Sequence, residues 1–76
     1  PDVATSLNNL GLAYNALGES RRAIDYYEQS LAMDKQLHGE RPHPDAATSL
    51  SNLGSAYRAL GESRRAIDYY EQSLAM

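Results

Sequence analysis

The sequence predicts an all-α fold, an alpha-alpha superhelix (solenoid) of two helix-turn-helix units, and three observations carry that expectation. First, the chain repeats itself: shifted by 43 places, residues 1–33 fall on residues 44–76 without a gap, and only Val3/Ala46, Asn8/Ser51, Leu12/Ser55 and Asn15/Arg58 differ. Second, within each copy apolar residues recur at steps of three and four, the period of an amphipathic helix rather than a strand. Third, Gly18 and Gly61 break that pattern once per copy, and the segment 39–44 holds a glycine and two prolines, which no helix tolerates. Two repeats follow, residues 1–43 and residues 44–76, with the segment 34–43 occurring once.

Each element has its own justification. Helices are expected over 2–17, 20–38, 45–60 and 63–76. Asp2 and Asp45 stand where an N-cap carboxylate can accept a free first-turn N–H, and Pro1 and Pro44 before them oppose an earlier start. Leu7, Leu10, Tyr14 and Leu17 form the apolar stripe of the first helix, while Gly11 and Ala13 are small enough to admit a neighbouring helix. Gly18 ends it, because glycine enters the left-handed region without steric cost. Ser20 is expected to cap the next helix, with Ala23, Ile24, Tyr27, Leu31 and Leu37 as its apolar face. The turn Gly18-Glu19 is so short that the two helices must lie antiparallel and adjacent. The second copy repeats the plan with Leu50, Leu53, Gly54, Tyr57, Ala66 and Tyr70 as packing residues.

Composition narrows the function. The chain has 76 residues, 42% of them hydrophobic and 22% charged, with net charge −3 and no Cys. Disulfides and Cys-based zinc or iron–sulfur sites are therefore excluded. No apolar run approaches a membrane span, and Lys/Arg occur at most in pairs, which argues against membrane and nucleic-acid partners. A cytoplasmic setting is favoured, any targeting signal lying outside a chain that starts at Pro1. A length this small and the lack of a staple speak against an independent enzyme.

The side chains point the same way. His38 and His43 lack the further ligands of a tetrahedral site and are expected to be solvated, so no metal, cofactor or catalytic residue is assigned. Ser and Thr have no base at activating spacing. Asp25 and Glu28 are placed to neutralise Arg21, and Asp68 and Glu71 to do the same in the second copy. The six Tyr are expected to be packing residues, with Tyr26 and Tyr69 partly exposed.

The pattern Leu7-x2-Leu10-Gly11-x2-Tyr14 followed by Ala23-x3-Tyr27, repeated as Leu50-x2-Leu53-Gly54-x2-Tyr57 and Ala66-x3-Tyr70, resembles the tetratricopeptide repeat. Lys35 stands where the standard unit places its proline, so the second helix runs on and the period is longer. That is similar to the roughly 42-residue repeats of kinesin light chains, including the opening Pro1-Asp2-Val3-Ala4-Thr5, with one extra residue in the connection Glu40-Arg41-Pro42. The resemblance implies a non-enzymatic protein–protein interaction scaffold whose first helices line a concave groove for an extended peptide or partner segment. Asn9 and Asn52, just before the Leu-Gly step, match its groove asparagine. Asn8, Leu12, Asn15 and their counterparts Ser51, Ser55, Arg58 share one helical stripe, and three of the four differences between copies fall there. The alternative is a self-associating module, excised or designed without a native ligand. Its two outer faces copy the internal interface, allowing end-to-end stacking or domain exchange between copies.

Overall fold

A computed structural model describes residues 3–39 and 43–75. Four helices follow in order among them: α1 (Val3–Ala16), α2 (Ser20–His38), α3 (Pro44–Ala59) and α4 (Ser63–Ala75). Each packs on its chain neighbour, α1 on α2, α2 on α3 and α3 on α4, while α1 grazes α3. This is the all-α hairpin stack expected. None of these helices is long and apolar enough to cross a membrane. The expected Asp2 cap, the connection Glu40-Arg41-Pro42 and Met76 lie outside the described residues.

Both hairpin turns are built alike. Gly18 and Gly61 adopt φ +81°. The amide of Gly18 donates to the Asn15 carbonyl at 3.0 Å and that of Glu19 to the Tyr14 carbonyl at 2.9 Å; Gly61 and Glu62 repeat these bonds to Arg58 and Tyr57. This is the Schellman arrangement, in which a left-handed glycine lets the chain satisfy the last helical carbonyls and reverse. The reversal brings a tyrosine of each second helix onto a glycine of the first. A Cβ on Gly11 would lie 2.5 Å from Cε1 of Tyr27, and one on Gly54 2.8 Å from Cε1 of Tyr70. Only glycine permits that approach.

Other helix starts differ from expectation. Asp45 is not the cap of α3: the helix begins at Pro44, and His43 Nδ1 accepts the Asp45 amide at 3.1 Å. A proline at the first helical position loses no bond, since its N–H would be unpaired anyway. Ser20 is not a cap either. It is already the first residue of α2, buried, and its hydroxyl donates to Asn15 Oδ1 at 3.0 Å. At its other end α2 runs to Gly39, as predicted, where φ is +66° and the amide donates to the Lys35 carbonyl at 2.7 Å.

The core lies at the α2–α3 junction. Ala23, Ile24 and Tyr27 of α2 interlock there with Leu53, Ala56 and Tyr57 of α3 and Ala66 of α4. Equivalent residues of the two copies therefore differ in burial. Leu53 is 0% exposed and its counterpart Leu10 is 43%; Ile24 is 7% exposed and its counterpart Ile67 is 54%. Leu10, Leu17 and Leu37, expected to be packing residues, are exposed, because the internal interface uses the outer face of α2 and the inner face of α3. Leu7 and Tyr14 are half-buried, whereas Leu50 and Tyr57 are buried. In dilute solution Leu53→Ala is expected to destabilise the fold by about 2–5 kcal/mol, as for a filled core site. The same change at Leu10 should cost less than about 1 kcal/mol. Urea unfolding midpoints of the two variants give the comparison.

Candidate functional site

The stripe on the first helices divides into two groups. Asn8 and Asn52 meet across α1 and α3, the Asn52 amide nitrogen donating to Asn8 Oδ1 at 3.1 Å. This bond ties the two helices together while leaving part of both amides accessible. Asn9, Leu12 and Arg58 are exposed and Ser51 is half-buried. Two other members turn toward their own hairpin: Asn15 accepts from Ser20, and Ser55 shares a 3.0 Å hydrogen bond with the Tyr70 hydroxyl. Asn15 and Ser55 are thus engaged within their own repeats.

Next to Asn8 opens a polar cleft of about 220 Å³ between α1, α2 and α3, lined by Thr5, Asn8, Asp34, Asp45, Thr48 and Ser49. Its floor is a chain of hydroxyls ending in a carboxylate. Ser30 Oγ donates to the Ala4 carbonyl at 2.9 Å and lies 3.4 Å from Ser49 Oγ, which donates to Asp34 Oδ2 at 3.3 Å. Ser73 makes the bond equivalent to that of Ser30, donating to the Ala47 carbonyl at 2.9 Å. Asp34 is only 3% exposed. Burial pushes its carboxyl upward from the ordinary pKa; the Ser49 hydroxyl opposes this, nearby Asp45 adds to it, and His38 and His43 oppose it. Burial disfavours the charged form because water no longer solvates it.

The histidines are not simply solvated. Both are half-buried, and their rings stack with centroids 3.6 Å apart and planes 8° from parallel. Asp45 Oδ2 lies 3.7 Å from His43 Nδ1, and donor atoms of His38, His43 and Asp45 all fall within 4.8 Å of one another. Sequence reasoning missed this carboxylate because the cap position was assigned to Asp45 rather than His43. A further cluster occupies each hairpin turn. Tyr14 stacks on Tyr26 and Tyr57 on Tyr69, centroids 5.4 Å apart, with Arg22 and Arg65 over the Tyr14 and Tyr57 rings. Those arginines pair with Glu19 at 3.5 Å and Glu62 at 3.3 Å. Among the described residues no ion pair joins Arg21 to Asp25 or Glu28, the pairing foreseen; the pairs formed are those of Arg22 and Arg65. A glutamate at the helix start lies on the positive end of the dipole and draws the arginine three residues on. In each turn the tyrosine faces are covered by a neighbouring ring and a guanidinium group.

A family model described as tetratricopeptide repeat matches residues 2–76. The chain belongs to the tetratricopeptide repeat family. Comparison with curated proteins and with solved structures gives no match. As a family, tetratricopeptide repeats mediate protein–protein interaction and are typically non-enzymatic. The family match does not extend to the kinesin light chain type. Within this tetratricopeptide fold Ser49 donates its hydroxyl to the Asp34 carboxylate.

The raised Asp34 pKa sets a sign for stability. A carboxyl whose pKa is higher folded than unfolded favours the native state when protonated. Its contribution is present at low pH and lost as pH rises through the folded value. Relative to Asp34→Asn, the wild-type chain should therefore lose stability as pH is raised from about 4, the unfolded Asp value. Paired urea titrations between acid and neutral pH measure it; a constant difference between the two proteins would contradict the assignment.

Proposed function

We propose that the chain acts as a non-enzymatic protein-interaction module that takes an extended peptide or partner segment along the α1–α3 face. The reading is supported by the Asn8–Asn52 bridge at 3.1 Å, which joins the two first helices, and by the exposure of Asn9, Leu12 and Arg58 on them. An amide side chain offers both donor and acceptor, the pair needed to hold an extended backbone. Arg58, present only in the second copy, supplies a fork for a carboxylate. Asn8 and Asn52 bond across the two first helices, whereas Asn15 and Ser55 bond within their own hairpins. Peptides selected from a random display library against the immobilised chain provide the probe. Alanine at Asn9, Asn52 or Arg58 should weaken binding by about tenfold at one or more positions, the scale of an interface hot spot. Unchanged affinity in all three variants would remove the groove assignment.

A second reading concerns association with further copies of this chain, and a separate observation favours it. The side chains that interlock at the α2–α3 junction recur on the outer faces of α4 and α1, where Ile67, Leu74 and Leu10 are exposed, Leu74 by 87%. The α4 face of one copy therefore offers to the α1 face of another the contacts that already join the two hairpins. Such a heterologous contact does not close and propagates as a stack. Ser55 in place of Leu12 makes the two contacts unequal. The expected result is a weight-average mass that rises with concentration in light scattering and falls back in Ile67→Glu. A chain that stays monomeric and folded at high concentration would refute stacking.

A further inference from the structure

The geometry points to a divalent transition-metal site, of the kind zinc occupies, formed by His38, His43 and Asp45 where the first repeat passes into the second. His38 is the last residue of α2, His43 caps α3, and Asp45 is in the first turn of α3. The donor atoms of the three lie within 4.8 Å of one another. Zinc holds imidazole nitrogen and carboxylate oxygen at about 2.0–2.2 Å, so ligands of a common ion stand roughly 3–4 Å apart. Asp45 Oδ2 already lies 3.7 Å from His43 Nδ1, and the set as a whole needs a contraction of up to about 1 Å, which rotation of the His38 and Asp45 side chains supplies.

The donor set suits a metal: His43 Nδ1 presents a lone pair, which accepts the Asp45 backbone N–H at 3.1 Å. The two rings stack face to face at 3.6 Å, with their lone pairs in nearly parallel planes, so binding turns one ring out of the stack to bring both nitrogens onto one ion. Two imidazoles and a carboxylate select zinc and its neighbours over calcium or magnesium, which prefer all-oxygen shells. The field balances as well. The carbonyl end of α2 favours a cation and the amide end of α3 opposes it. The buried carboxylate of Asp34, one turn before His38 on α2, adds a second negative charge nearby. Engaging His43 costs α3 its cap bond, so occupancy exchanges a hydrogen bond for coordination that joins α2 directly to α3 and fixes the angle between repeats. Among the described residues the cluster occurs once, at the junction of the two repeats, because both histidines belong to the segment that has no second copy.

The test uses the whole chain, stripped with a chelator, titrated with Zn2+ by calorimetry, with Mg2+ as the contrasting ion. One Zn2+ per chain is expected, with a rise in Tm, a visible absorption band for bound Co2+, and no response to Mg2+. His38→Ala should weaken Zn2+ binding by more than about tenfold, since even partners outside the ligand shell are worth that much. Asp45→Asn, which keeps the backbone N–H that caps α3 onto His43, is the second variant and should also weaken binding, while circular dichroism reports that both remain helical. Zn2+ binding of equal strength in wild type and both variants would overturn the assignment. So would a chain whose Tm and Co2+ spectrum are indifferent to the ions.

Discussion

The ring of Tyr27 lying on Gly11 is the contact from which the rest of the arrangement follows. A second-helix tyrosine can press onto a first-helix backbone only where no Cβ intervenes, and the same pairing recurs at Tyr70 and Gly54. Replacing hydrogen by methyl at Gly11 would place carbon 2.5 Å from the ring, so the gain in helix propensity of about 1 kcal/mol is outweighed by overpacking. The close approach fixes the crossing of each hairpin. In the first hairpin it also sets where Ala23, Ile24 and Tyr27 of α2 meet α3, which settles there with Leu53, Ala56 and Tyr57. Hairpin geometry thus determines junction geometry.

The junction is apolar at one end and polar at the other. Toward the hairpin turns it is sealed by tyrosines and aliphatic groups. Toward the connection it passes through Ser30 and Ser49 to the buried Asp34 and the stacked histidines. A buried carboxylate with hydroxyl partners adds little net stability, yet displacement of α3 along α2 would leave it unpaired at a cost of a few kcal/mol. The apolar end supplies attraction and the polar end supplies register. Both the Asn8–Asn52 bridge and the His38–His43 stack lie in that register and depend on it.

Much of this was legible in the residues. The self-match gave the hairpins, Gly18 and Gly61 gave the reversals, and Gly11 and Gly54 gave the close approach. What the repeat could not reveal is which copy of a position is covered. Leu10 and Leu53 occupy identical local sequences, yet their exposure differs from 43% to 0% because one faces outward and the other faces α2. Burial here is a property of place in the stack. The cap at His43 and the Ser20–Asn15 bond were missed for a different reason. Ser, Asp and His compete for the same orphan groups at a helix start, and a one-residue difference in where the helix begins decides which is engaged. The burial of Asp34 and its approach to Asp45 and the histidines depend on how α3 returns across α2, which no local pattern encodes.

The tight glycine reversals also bear on how the chain finds this state. Because α2 and α4 begin with the same thirteen residues, Gly11 of α1 would accept Tyr70 as readily as Tyr27, and a hairpin of α1 with α4 would bury nearly the same groups. Contacts alone hardly separate the two pairings. Chain connectivity does: closing a loop of a few residues rather than one of several tens favours the local partner by roughly 2 kcal/mol, and does so before any junction has formed. Near-perfect internal identity, which would otherwise create competing folds, is thereby resolved by kinetics and loop entropy, with the shortest segments of the molecule arbitrating between its most alike ones.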